Sequence, residues 1–241
     1  MEVSLVVPVH NEEDNIEPLL AEIQVALSGF EYEIIYVDDG STDSTLLRLQ
    51  NSAKAIPCLR VVRHERSCGQ STAVLTGVRH ASATWIATLD GDGQNDPANI
   101  PKMLAEAKLG SGTDEKPLMC VCGYRRTRRD TWLKRLSSRI ANQVRSALLK
   151  DDTPDTGCGL KVFSREAFLA LPYFDHMHRF LPALFLRSGG AIISVEVNHR
   201  ERTRGVSKYG LFNRLWVGIV DICGVAWLQR RARVPKIIEG N

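Results

Sequence analysis

Four short runs of this chain are apolar almost without interruption: Val3-Ser4-Leu5-Val6-Val7-Pro8-Val9, Tyr32-Glu33-Ile34-Ile35-Tyr36-Val37, Cys58 to Val62, and Thr84-Trp85-Ile86-Ala87-Thr88. A strand with one wet face alternates polar and apolar residues, so runs like these are predicted to be strands covered on both faces, as in a parallel sheet. Between them lie helical patterns. Ile16, Leu19, Leu20, Ile23 and Leu27 share one helix face after His10-Asn11-Glu12-Glu13, where Asn11 is a plausible N-cap, and a further helix is expected from about Gln70 to Ala81. Strand and helix thus alternate up to Asp90, which predicts an α/β, Rossmann-like, mostly parallel sheet with crossovers on both faces. In such sheets ligands bind along the carboxyl edge of the strands.

That edge is rich in carboxylates. The second strand runs into Asp38-Asp39-Gly40-Ser41-Thr42-Asp43, and the fourth into Leu89-Asp90-Gly91-Asp92-Gly93-Gln94-Asn95-Asp96-Pro97. An acid after the second strand suits ribose hydroxyls or base nitrogens. Asp-x-Asp with a nearby amide oxygen suits a hard divalent cation, Mg²⁺ or Mn²⁺, that completes its shell with water and substrate phosphates. Taken alone, the same residues also describe a solvated acidic turn. The chain has neither G-x-G-x-x-G nor G-x-x-x-x-G-K-[ST], which counts against a dinucleotide enzyme and a P-loop ATPase.

The 241 residues carry a formal net charge of only +3, but its distribution is lopsided. Residues 1–50 hold eleven acids against Arg48, whereas residues 120–150 hold nine Lys/Arg against Asp130. Nine more basic residues follow from Arg200 onward. A basic second half points to an anionic partner such as a phosphorylated substrate or a membrane surface. Nucleic acid is not expected, because the basic half lacks interleaved aromatics and any recognisable module. The six cysteines have no Cys-x-x-Cys or zinc-ligand spacing and are expected to be reduced thiols. Met1 leads at once into a strand, so no signal peptide is expected, and no uncharged apolar run reaches the roughly 18 residues of a spanning helix, Leu211 to Leu228 being interrupted by Arg214 and Asp221.

Further along, Leu118 to Gly123 reads as a strand that delivers Tyr124-Arg125-Arg126-Thr127-Arg128-Arg129 to a loop. The segment Trp132 to Leu149 has a helical apolar stripe flanked by Lys134, Arg135, Arg139 and Arg145, suited to an anionic membrane and a phosphate, or to a core-facing helix with a solvated basic side. Ala191 to Val197 is another strand, followed by Arg202-x-x-Gly205-x-Ser207-Lys208-Tyr209, a loop with a glycine hinge and cations. Leu211 to Leu228 is apolar and aromatic, then polybasic, which fits an interfacial helix and equally a core or dimer helix.

Taken together, Pro8-Val9-His10-Asn11-Glu12, Asp38-Asp39-Gly40-Ser41-Thr42-Asp43, Gly69-Gln70-Ser71, Asp90-Gly91-Asp92-Gly93-Gln94, Asp155-Thr156-Gly157-Cys158-Gly159-Leu160-Lys161 and Arg202-Thr203-Arg204-Gly205-Val206-Ser207-Lys208 resemble the family 2 glycosyltransferases of GT-A fold. The resemblance is to the branch typified by dolichol-phosphate mannosyltransferase and bacterial polyprenyl-phosphate glycosyltransferases, and it runs from about residue 3 to 215. It implies a GT-A domain over residues 1–210 and a C-terminal interfacial helix and basic tail over 211–241. It further implies that Pro8, His10, Asn11, Glu12, Asp39 and Gln70 serve the nucleotide-sugar, with Asp90 near ribose and sugar. Asp92 and Gln94 would hold the metal. Arg202 and Lys208, in the loop with Gly205 and Ser207, would close over the diphosphate, and Arg125 and Arg139 would receive the phosphate of a lipid acceptor. His10 departs from a frequent Tyr or Phe, and Gly91 from a more usual Ala.

The activity implied is metal-dependent transfer of a sugar from a nucleotide-sugar, GDP-mannose or a UDP-sugar, to a polyprenyl phosphate with inversion. Asp90, Asp92, Arg202 and Lys208 carry it. The setting expected is peripheral, on the cytoplasmic face of a membrane, where an integral membrane partner could use or flip the product. A phosphate monoester already bears a nucleophilic oxyanion at neutral pH, so it needs no general base, whereas an alcohol acceptor would need one and Asp155 is the position to suspect. The alternatives are a soluble glycosyltransferase acting on a polysaccharide or protein hydroxyl, and a non-catalytic membrane-associated scaffold.

Overall fold

The computed structural model describes residues 1–110, 117–125, 145–146, 148–198, 200 and 211–233, with side chains of the last segment from 217 onward. The apolar runs form strands β1 (Val3–Val9), β2 (Tyr32–Asp38), β3 (Leu59–Arg63) and β4 (Trp85–Thr88). The helices between them are α1 (Ile16–Ala26), α2 (Thr45–Ala55) and α3 (Gln70–His80), and α4 (Ile100–Gly110) follows β4. Then come β5 (Leu118–Tyr124), β6 (Lys161–Ser164), α5 (Arg165–Leu169), α6 (Leu181–Arg187), β7 (Ala191–Glu196) and α7 (Leu211–Arg231).

The strands make one seven-stranded sheet in the order β3-β2-β1-β4-β6-β5-β7. Every neighbouring pair is parallel except those of β6, which runs antiparallel to both β4 and β5. The mostly parallel α/β sheet expected from the sequence is therefore present. The strand pleat explains how it is covered: Val3, Leu5, Val7 and Val9 face α1, α2 and α4 through Ile16, Leu20, Leu49, Ile100 and Met103. Val6, Ile35 and Val37 face the other way, onto α3 and α6 through Val74, Val78, Leu184 and Phe185.

Two local features differ from the sequence reading. Asn11 is not the cap of α1: its φ of 52° is left-handed, its side-chain oxygen accepts the Thr42 amide at 2.7 Å, and α1 starts only after a 3₁₀ turn at Glu13–Asn15. An Asn tolerates that backbone while spending its side chain on a neighbouring loop. Secondly, β6 and α6 were not anticipated. Their patterns of four and seven residues, with Lys161 in one and Pro182 in the other, lack a periodic signal. Most of the predicted helix Trp132 to Leu149 lies outside the described residues.

Helix α7 lies along α6. Val225 is buried, the Gln229 amide donates to the carbonyls of Leu149 at 2.8 Å and Ala183 at 3.2 Å, and Arg187 donates to Leu228 O at 3.1 Å. Its outer side is apolar and open at Val217, Ile219, Val220 and Trp227. Among the described residues no helix is long and apolar enough to cross a membrane. All six cysteines are free, and Cys120, Cys122 and Cys158 are buried.

Candidate active site

The carboxyl ends of β1, β2 and β4 lie side by side, so the acidic segments following them converge at one edge of the sheet. Because β6 is antiparallel, with Thr88 opposite Lys161, it is the amino end of β6 that reaches this edge. That brings Asp155 to Leu160 beside Asp90. Thr88 donates to the Gly159 carbonyl at 2.8 Å, and an added Cβ at Gly159 would fall 2.1 Å from Asp90 Oδ2. Gly159 is thus required by the close approach of its backbone to a carboxylate.

Asp90 is fixed from three sides. The Gln70 amide donates to its Oδ1 at 2.8 Å, its own backbone N–H donates to Asn95 Oδ1 at 3.2 Å, and Gly159 lies beneath it. Burial, reinforced by the like charge of Asp92, pushes its pKa up to about 6, against the pull of Lys161 and Arg125. Asp92 Oδ1 accepts the Gln94 backbone N–H at 3.1 Å, an Asx turn that aligns both side chains at the same loop. Two carboxylates that repel each other, beside an amide side chain and open to solvent on one side, form a hard-oxygen donor set deficient in positive charge. Such a set fits Mg²⁺ or Mn²⁺. At Gly91 an added Cβ would meet Val9 Cγ1 at 2.3 Å, so the loop lies close against β1.

Asp39 is occupied differently. Its oxygens accept the backbone amides of Cys68 at 2.8 Å and Gly69 at 2.9 Å, the Ser67 hydroxyl at 2.8 Å and His64 Nδ1 at 2.7 Å. Burial alone would raise its pKa, but these donors hold it below the ordinary carboxylate value. Asp39 is therefore the clasp that draws the loop after β3 to the sheet edge, with its neighbour Gly40 in a left-handed turn (φ 67°) against Arg66. His10 donates to the Asp39 carbonyl at 2.8 Å, the Glu12 amide donates to Thr45 Oγ1 at 2.9 Å, and Glu12 accepts from Asn15 at 2.8 Å. Pro8, Gln70 and Asp90 line one small cavity with Lys161 and His178; its volume of about 20 Å³ holds roughly a single water.

Arg125, at the end of β5, meets Asp155 in a two-pronged pair. Its Nε donates to Oδ2 at 2.5 Å and its Nη2 to Oδ1 at 2.9 Å, with both side chains at most 10% exposed. Burial opposes the guanidinium charge, but Asp155 holds its pKa above the ordinary value. The residue expected to bind acceptor phosphate and the residue suspected as a base are thus each other's partners. Arg139, Arg202, Gly205, Ser207 and Lys208 lie outside the described residues.

Three contributors escaped the sequence reading. Lys161 is 4% exposed and donates to the carbonyls of Thr156 and Cys158. His178 Nδ1 shares a hydrogen bond with the Ser71 hydroxyl at 2.7 Å; burial, then Arg179, Lys161 and His176, push its pKa down to about 3. Arg200 joins the chain after β7 to the Asp90–Asp96 loop. A signal existed for Lys161, which closes the Asp155–Lys161 motif, but a lone His and a lone Arg in an irregular segment carried none.

A mostly parallel α/β sheet with carboxylate turns after its second and fourth strands presents an acidic ligand-binding edge of the kind a nucleotide-using enzyme can employ. The chain belongs to glycosyl transferase family 2, whose model matches residues 4–171. It is 35% identical over 250 aligned residues to dodecaprenyl-phosphate galacturonate synthase of Rhizobium johnstonii, covering all of this chain and 71% of that protein. It is 34% identical over 213 residues to undecaprenyl-phosphate 4-deoxy-4-formamido-L-arabinose transferase of Edwardsiella ictaluri, covering 87% of this chain and 63% of the relative. In fold it is similar to glucosyl-3-phosphoglycerate synthase of Mycobacterium tuberculosis, crystallised with Mn²⁺, UDP-glucose and glycerol 3-phosphate. The TM-score is 0.68 at 21% identity, over 97% of this chain and 81% of the other.

Proposed function

We propose that this chain transfers a sugar from a nucleotide-sugar to a polyprenyl phosphate, with inversion at the anomeric carbon. The observation that carries the reading is the desolvated Asp90 held over Gly159 and beside Asp92 at the carboxyl end of β4. Both relatives named above join a sugar to a polyprenyl phosphate and differ in the sugar, which supports a lipid-phosphate acceptor and leaves the donor sugar as the variable.

Asp92 and Gln94 would hold Mg²⁺ or Mn²⁺, which would supply charge neutralisation at the donor diphosphate. The residues of the chain do the rest. The Asp39 clasp and the His10–Glu12 turn shape the nucleoside end. Asp90, held by Gln70, orients the sugar and ribose. Arg202 and Lys208 add positive charge where the leaving diphosphate gains its negative charge. On the acceptor side Arg125 and Arg139 receive the phosphate. Asp155 has both oxygens committed to Arg125, so it is poorly placed to accept a proton from an alcohol. A phosphate monoester has no need of that proton acceptor.

The outer face of α7, with Val220 56% and Trp227 59% exposed and Arg230 and Arg231 at its end, lies on the cytoplasmic surface of an anionic membrane where lipid and enzyme meet. An integral membrane partner takes the product onward.

The test is transfer of radiolabel from a panel of nucleotide-sugars into organic-extractable product, with and without polyprenyl phosphate and Mg²⁺ or Mn²⁺, beside Asp92→Ala. Label that requires lipid, metal and Asp92 is the expected result and identifies the donor. Donor binding or slow hydrolysis without extractable label overturns the lipid-phosphate reading in favour of a water-soluble acceptor.

A further inference from the structure

The Asp90–Asp96 loop does not hold itself in place. Its second half is laced to the chain that leaves β7: the Arg200 amide donates to Gln94 O at 3.1 Å, and the Gln94 side chain donates back to Arg200 O at 3.5 Å. Asn198 donates through its side chain to Asp96 Oδ2 at 3.3 Å and through its backbone to Asn99 Oδ1 at 3.4 Å. Across this seam reaches one guanidinium. Arg200 Nη1 straddles both oxygens of Glu22 on α1 at 2.7 and 2.8 Å, while Nη2 meets Asp96 Oδ1 at 2.8 Å. Desolvation works against the Arg200 charge, and the two carboxylates more than restore it.

This arrangement has more parts than a surface ion pair needs. Gln94 is gripped by the backbone of the residue whose side chain is anchored on α1 and on Asp96, two positions beyond Gln94. Movement of Arg200 therefore moves Gln94 and, through the Asp92–Gln94 turn, Asp92. Arg202 lies two residues further along the chain. The charges fit the same picture: Arg200 engages the carboxylates of both Glu22 and Asp96 and offsets one of their two negative charges, which weakens their competition with Asp92 for a cation.

We propose that Arg200 is a positioning residue for the divalent cation. It fixes Gln94 and Asp92 in register by tying the loop after β4 to α1 and to the strand-β7 exit. The inference rests on the reading that Asp92 and Gln94 hold the metal. Residues that orient metal ligands from the second layer typically change metal affinity about 10- to 100-fold when removed.

The experiment is Mn²⁺ binding to the whole chain, followed by loss of the free-ion EPR signal in the presence of UDP and, separately, of GDP, with thermal melts on the same samples. Arg200→Met is expected to weaken Mn²⁺ binding about tenfold. Arg200→Lys recovers part of the loss, and Glu22→Gln, which removes only the α1 anchor, gives a smaller change in the same direction. Arg48→Met removes a comparably exposed pair, to Glu17 at 3.3 Å, away from the loop; it serves as the control for a merely structural effect and leaves Mn²⁺ binding unchanged. Unaltered binding in Arg200→Met, or an equal loss in Arg48→Met, overturns the proposal. Should Arg200→Met fail to fold, Glu22→Gln and Arg200→Lys decide on the same readout. Asp92→Ala separates the two ideas: if it binds Mn²⁺ like the parent, the metal site itself is elsewhere and the Arg200 proposal falls with it; if it does not, failure at Arg200 alone leaves the metal reading standing.

Discussion

Replacing Gly159 with Ala adds one carbon and two hydrogens, yet it strikes the centre of the site. The new Cβ would lie 2.1 Å from Asp90 Oδ2, 2.3 Å from Cγ and 2.5 Å from Oδ1. Ordinary contact begins near 3.4 Å, so the carboxylate must retreat by about 1.3 Å, and the 2.8 Å bond from Gln70 cannot survive that movement unchanged. Gly159 has no left-handed backbone that alanine would strain, so the effect arises at Asp90 alone. A displacement of about 1 Å in a positioning group costs on the order of 100-fold in rate, or about 2.7 kcal/mol of transition-state stabilisation. The overpacking itself costs roughly 1–3 kcal/mol of stability. The assay is kcat/KM for label transfer into lipid with the best donor of the panel, alongside thermal melts. Gly157→Ala is the matched control, because its Cβ would meet Arg125 Nη2 at 3.4 Å, an ordinary contact. If folded Gly159→Ala keeps activity within a few-fold of Gly157→Ala, then Asp90 is not held where the reaction needs it, and the placement of the sugar subsite is wrong.

Three further outcomes follow from the same geometry. His178 is neutral in the fold, with a pKa pushed down to about 3 against about 6.5 unfolded; its contribution is complete above pH 6.5 and is lost as pH falls from there toward 3. Urea titrations should show the parent losing up to about 2 kcal/mol more between pH 7 and 5 than His178→Gln, and parallel losses would contradict the neutral imidazole. Asp155→Asn breaks the buried fork to Arg125 and should cost about 3–5 kcal/mol in denaturation, while transfer by the folded enzyme stays within about tenfold; a loss of 10³ or more in the rate of folded enzyme would mean that Asp155 is a base for a hydroxyl acceptor. Trp227→Gln with Val220→Gln should release the chain from anionic vesicles in flotation without lowering its melting temperature, since both side chains are already exposed; undiminished flotation would remove α7 from the membrane.

What the sequence disclosed, and what it concealed, divides along one physical line. β1, β2 and β4 are buried on both faces, so nearly every residue in them answers to the same constraint and the pattern is dense enough to read, whereas β3, at the edge of the sheet, leaves Arg60 and Arg63 exposed. The acids that follow inherit their position from the strands, which is why Asp39, Asp90 and Asp92 were legible as edge residues from their place in the chain. The identity of their partners was not. Nothing in the spacing says that Asp39 is consumed by Ser67, Cys68, Gly69 and His64, because those bonds are made across a loop with no periodicity.

The antiparallel strand β6 shows the limit most clearly. Lys161–Ser164 is four residues long and carries a buried lysine, so its pattern is no stronger than that of a loop, yet its direction decides the chemistry. Were β6 parallel to β4, its carboxyl end would reach the functional edge and bring Ser164 and Arg165 there. Antiparallel, it brings its amino end, and with it Gly159 beneath Asp90 and the Asp155–Arg125 fork beside it. The motif Asp155–Lys161 is thus a statement about strand direction: a glycine where a carboxylate must pass, a lysine whose ammonium caps the carbonyls of Thr156 and Cys158, and an aspartate two residues before Gly157 that turns a guanidinium toward the site. In the proposed reaction the parallel half of the sheet would supply the donor edge, and the one reversed strand would fold the acceptor side onto it.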